Sequence, residues 1–118
     1  MIFGFMSNDV FAQKSKIMTC YSNMWTTSVD NSGYDNSIMK FNFKNLTYQR
    51  TTNGVTYTQH KIFDYQSGTI NGEIYVVMWV YAPGSDLVKV AAYDRYIYEY
   101  YGDDSSAPYV VFYLYDWK

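Results

Sequence analysis

Few side chains in this chain of 118 residues can do acid–base or nucleophilic chemistry. His60 is the only histidine, Cys20 the only cysteine, and Glu73 and Glu99 are the only two glutamates. A histidine acting as general base needs a nucleophile on one side and an orienting acceptor on the other, both within hydrogen-bond reach. The neighbours of His60 in sequence are Gln59, Lys61 and Asp64, which make no such set by themselves. A Cys20–His60 dyad is a pairing that any chain with one of each residue offers. His60 therefore reads as an exposed or half-exposed strand histidine. Cys20, with Met18 and Met24 nearby, reads as a small core residue, because free cysteine is among the most buried residue types. No catalytic residue is assigned, and an enzyme is not expected.

Metal and phosphate chemistry fare no better. One histidine, one cysteine and scattered carboxylates do not make a zinc site of the usual kinds. Asp103-Asp104, or Asp30, Asn31 and Asp35, could offer oxygen ligands to calcium, but the residue order of an EF-hand loop is missing. These acids read as solvated loop residues, and no metal or cofactor is expected. A glycine-rich phosphate loop and a G-x-S-x-G elbow are both lacking. Nine Lys plus Arg against eleven Asp plus Glu leave a net charge of -2. Nucleic acid needs clustered positive charge, so it is not an expected partner. No run of about 18 apolar residues offers a transmembrane helix.

The elements that would hold any site read as strands. Asn53-Gly54 and Asn71-Gly72 are the residue pairs that accept the positive φ angles of a type I′ turn, and each stands between alternating runs. In Ser37–Asn45 the residues Met39, Phe41 and Phe43 face one way while Lys40, Asn42 and Lys44 face the other, which is the period of a half-buried strand. The run Glu73–Tyr81 is apolar on both faces, which predicts a central strand covered on each side. Tyr109–Lys118 behaves alike, and Ile17–Thr27 adds a strand near the start. The segment 86–101 is ambiguous. Ser85 or Asp86 could cap a helix that Gly102 ends, but Tyr96, Tyr98 and Tyr100 alternate with Arg95, Ile97 and Glu99, which favours two strands broken near Tyr93–Arg95. The expected fold is all-β: residues 14–118 form a single domain of seven to eight mostly antiparallel strands in a meander, closed as a barrel or barrel-like sandwich. The alternative is α+β with one helix at about 86–101.

The composition is unusual in its aromatic residues, which make 21% of the chain, and ten of the fifteen tyrosines lie from Tyr75 onward. Tyr and Trp offer large contact areas with few rotatable bonds, so they are enriched at recognition surfaces. Tyrosines can also form cross-strand pairs that stabilise a sheet and do nothing more. The leading functional reading is a non-enzymatic binding module that recognises a protein partner through Tyr96, Tyr98 and Tyr100, in the manner of an inhibitor or immunity-type protein. The alternative is a barrel that binds a small apolar molecule or carbohydrate on Trp25, Tyr75 and Trp79. Oligomeric state is not legible, although runs such as Tyr109–Tyr115 could pair between chains.

Residues 1–13 read either as the remnant of an export signal or as a short N-terminal strand. Val10-Phe11-Ala12-Gln13 resembles the cleavage end of a bacterial signal, which points to a secreted or periplasmic protein. The apolar run Ile2–Met6 is too short for a signal core and has no basic residue before it.

Overall fold

The computed structural model describes residues 17–102 and 109–118, so the stretch Val10–Gln13 and the pair Asp103-Asp104 lie outside the described residues. Ten strands run through the described part: β1 (Ile17–Thr27), β2 (Ser32–Gly33), β3 (Ser37–Asn42), β4 (Thr47–Thr52), β5 (Val55–Thr56), β6 (His60–Ile70), β7 (Glu73–Tyr81), β8 (Leu87–Ala92), β9 (Tyr96–Tyr101) and β10 (Tyr109–Trp117). Eight of them pair antiparallel in chain order, β1-β3-β4-β6-β7-β8-β9-β10, and β10 pairs back onto β1. The result is a closed up-and-down barrel, in which each of the eight strands pairs on both sides over at least part of its length. The two-residue strands β2 and β5 add to β1 and β4. Among the described residues no helix is long and apolar enough to cross a membrane.

The turn chemistry holds at both sites. Asn53 and Gly54 have φ of 50° and 82°, and Asn71 and Gly72 have 53° and 82°, so each pair sits in the left-handed region that a type I′ hairpin requires. Segment 86–101 is strand, not helix. β8 and β9 break at Tyr93–Arg95, where the Tyr93 N–H donates to the Tyr96 carbonyl at 2.8 Å. In β9 the alternation turns Ile97 and Glu99 into the barrel, where both are buried, and leaves Tyr96, Tyr98 and Tyr100 outside.

Met18, Cys20, Met39, Phe41, Tyr48, Ile62, Met78, Val90, Ile97 and Phe112 fill the interior. In β7 the core takes Val76, Met78 and Val80. Its other face departs from the expectation of a covered strand. Tyr75, Val77 and Trp79 are half-buried on the convex side, and Tyr81 is exposed. Among the described residues no helix or second sheet lies over them, because one sheet closed on itself has only one covered face. Large side chains lie flat on that surface instead. A Cβ added to Gly68 would come within 2.6 Å of the Tyr75 hydroxyl, so the ring rests on glycine backbone of the neighbouring strand.

One seam in the wall is short. β4 and β6 share only the pairs Thr47↔Lys61 and Tyr48↔His60. Beyond Tyr48, β4 pairs with β5 instead, and the Tyr57 N–H donates to the Arg50 carbonyl at 2.9 Å. The barrel therefore splays between β4 and β6 at the end that also carries the β7–β8 loop.

Candidate functional site

At that splayed seam lies a cavity of about 350 Å³, lined by residues of β4 and of the start of β6, by Tyr57 and Thr58, by the β7–β8 loop, and by Glu99 and Tyr101 of β9. Ligand sites usually have volumes of roughly 300–1,000 Å³ and a few convergent polar groups in an apolar wall.

The floor is a buried polar network centred on Glu99. Its side chain is 1% exposed, and its carboxylate accepts from Arg50 Nε at 3.0 Å and from the hydroxyls of Tyr48 and Tyr101. The sequence pattern explains the arrangement: in Tyr96–Tyr101 the inward positions are Ile97 and Glu99, so the strand that presents tyrosines to solvent carries its glutamate into the core. Burial, and then the charge of Glu99, push the Tyr48 and Tyr101 phenols up, so both remain hydrogen-bond donors at neutral pH. Burial alone would weaken the charge of Arg50, but the carboxylate more than reverses that and holds the guanidinium protonated. Arg50 Nη1 donates to Thr52 Oγ1. The guanidinium also lies 4.4 Å from the Tyr57 ring centroid and 5.1 Å from that of Phe112. Among the described residues no buried side-chain nitrogen or oxygen lacks a partner.

The wall above this floor holds His60 and Ser85. His60 is 6% exposed, which corrects the expectation of an exposed or half-exposed histidine. As the first residue of β6, it turns inward on the strand whose next inward residue is the core Ile62. Its Nδ1 lies 3.0 Å from the Thr58 carbonyl, and a carbonyl only accepts, so Nδ1 carries the proton. Nε2 then presents its lone pair to Ser85 Oγ at 2.6 Å. Burial is the main cause that lowers the His60 pKa, opposed by the Thr58 carbonyl and Glu99, so the ring stays neutral near pH 7. Ser85 sits at the end of a tight turn: its N–H donates to the Ala82 carbonyl at 3.1 Å, and Gly84 has φ of 77°, as a type II turn with Pro83 and Gly84 at its centre requires. Ser85 Oγ also accepts from the Leu87 N–H at 3.2 Å.

The residues singled out from sequence lie elsewhere. Tyr96, Tyr98 and Tyr100 share the outer face of β9, where the register sets Tyr100 opposite Tyr109 and Tyr96 opposite Tyr113. The rings of Tyr98 and Tyr100 belong to a run from Tyr75 through Tyr93, Tyr98, Tyr109 and Tyr100, with successive centroids 5.4–5.7 Å apart, and the Lys89 ammonium lies 4.4 Å from the Tyr100 centroid. Tyr96 pairs with Tyr113 at 5.4 Å.

Trp25 lies on β1, and Tyr75 and Trp79 lie on the outside of β7. Trp25 packs over Gly33 and donates from its indole to Asp35 Oδ2 at 2.7 Å. Asp35, considered above for calcium, thus accepts from Trp25 and also from the Asn53 side-chain amide at 2.8 Å. Among the described residues no three His, Cys, Asp or Glu side chains gather as a metal-binding group.

Arg50, His60, Ser85 and Glu99 are not recognisable as a set from sequence, because they come from four separate segments. The Pro83-Gly84-Ser85 turn was the available signal for Ser85, whereas nothing local ties it to a histidine 25 residues away. No family model matches this chain, and no curated protein or solved structure does so either.

Proposed function

We propose that the chain is a small-molecule binding protein whose site is the cavity at the β4–β6 seam. The observation that carries this reading is a charged Arg50, 15% exposed, lining a cavity of ligand size. Glu99 already accepts from three donors, and the hydroxyls of Tyr48 and Tyr101 are spent on it. A guanidinium has five N–H donors, and the bonds to Glu99, Thr52 and Tyr101 do not use all of them. The complementary ligand bears a carboxylate or carbonyl at Arg50 and sets an apolar or aromatic part against Tyr57 and Leu87. Benzoate, 4-hydroxybenzoate and 2-naphthoate, with their uncharged alcohols as controls, test this by thermal shift and calorimetry. The acids are expected to bind saturably and to raise Tm. In an Arg50→Met, Glu99→Leu double variant, which keeps no lone buried charge, that response is expected to vanish. A folded double variant that still binds as the parent does would reject the site.

A second reading, recognition of a protein partner by Tyr96, Tyr98 and Tyr100, is supported by the outer run of tyrosine rings that holds Tyr98 and Tyr100, with the Tyr96–Tyr113 pair beside it on the same face. Replacing all three by Ser while capture of partners from a lysate stays unchanged would remove that reading.

A further inference from the structure

We propose that Ser85 is a nucleophile that small carboxylic esters acylate, with His60 as its base. This rests on the cavity as a ligand site and adds a covalent step to it. Two hydrogen bonds define the pair. The proton on His60 Nδ1 is fixed by the Thr58 carbonyl, and that leaves the Nε2 lone pair on Ser85 Oγ at 2.6 Å. Nucleophile, base and a third group that orients the base are the signature of an activated hydroxyl, and here the third group is a backbone carbonyl. The fold supports each member separately. The Pro83-Gly84 turn fixes Ser85, the Leu87 N–H holds its Oγ from the other side, and the first residue of β6 brings His60 to the seam. Both side chains line the cavity, and so does Arg50.

The step balances with the ester alone. Ser85 Oγ bonds to the acyl carbon as its proton passes to His60 Nε2, and the carbonyl π pair moves onto oxygen. Collapse of that oxyanion breaks the bond to the leaving oxygen. The leaving group takes the proton from His60, which gives a free alcohol and an acyl ester on Ser85. No oxidant or metal is needed.

The test treats the full-length chain with 4-nitrophenyl acetate and maps the product by peptide mass spectrometry, with nitrophenolate release followed by absorbance. One acetyl per chain bonded to Ser85 is expected, with one nitrophenolate released for each acetyl that is bound. Ser85→Ala should carry no such adduct, and His60→Gln should slow the release by about 100-fold or more, the usual contribution of a positioned base. The mapping on the unaltered protein is decisive even where a variant fails to fold. Acetyl groups scattered over lysines and tyrosines with Ser85 unmodified would overturn the proposal. If 2-naphthoate still bound in that case, only the covalent step would be lost. If neither adduct nor binding were found, the cavity reading would fall with it.

Discussion

Glu99 is the residue whose removal should be felt most. Glu99→Leu leaves Arg50 buried without its partner, and breaking a buried ion pair from one side costs about 3–5 kcal/mol. The Arg50→Met, Glu99→Leu double variant should recover much of that loss, because no lone charge remains; urea titration of the three proteins checks the order. His60 sets a pH dependence. Its pKa is lowered in the folded chain, so as pH falls below about 6.5 the unfolded chain takes up the proton first and stability drops. The stability this histidine contributes is therefore present above that pH and is lost on the acid side. His60→Gln should remove that component from a plot of Tm against pH. Cys20 should be inert, since burial pushes its thiol up to about 12. A disulfide reagent such as DTNB at neutral pH should react only as fast as the chain unfolds. At this scale the sequence showed Cys20 as a core residue, because its neighbours in the strand are apolar. It hid His60, whose burial depends on where β4 stops pairing with β6 and on a serine in a separate loop.

Among the strands and turns, the sequence was most legible where chemistry is local. Asn-Gly pairs mark both type I′ turns because few other residues accept positive φ at two successive positions. Gly72 has φ of 82° and only open space where a Cβ would stand, so Gly72→Ala should destabilise through backbone conformation alone, by about 1 kcal/mol and a few degrees of Tm. Gly68 makes the opposite case: an added methyl meets the Tyr75 ring and not the backbone conformation. Gly68→Ala should lift Tyr75 and break its 5.7 Å contact with Tyr93, which aromatic NMR shifts would report, at a stability loss below about 1 kcal/mol. Alternation in Tyr96–Tyr101 was enough to choose strand over helix. It could not say that the tyrosines would face out and the glutamate in, because either face of an isolated strand can be the buried one.

The whole molecule is an antiparallel meander whose last strand closes on its first, and that follows from eight barrel strands pairing in order with short connections. Closure pairs every barrel strand on both sides and supplies a single interior lined by large apolar residues, with a cavity at the β4–β6 seam. The cavity was not legible in the sequence because it arises from a two-pair register between β4 and β6, which no local pattern encodes. The central claim, that this seam holds a small ligand, meets its most direct test in a crystal structure of the chain grown with saturating 2-naphthoate. The expected result is the carboxylate on Arg50 with the rings against Tyr57 and Leu87. Naphthoate ordered on the outer tyrosine face, with the seam cavity holding only water, would contradict it.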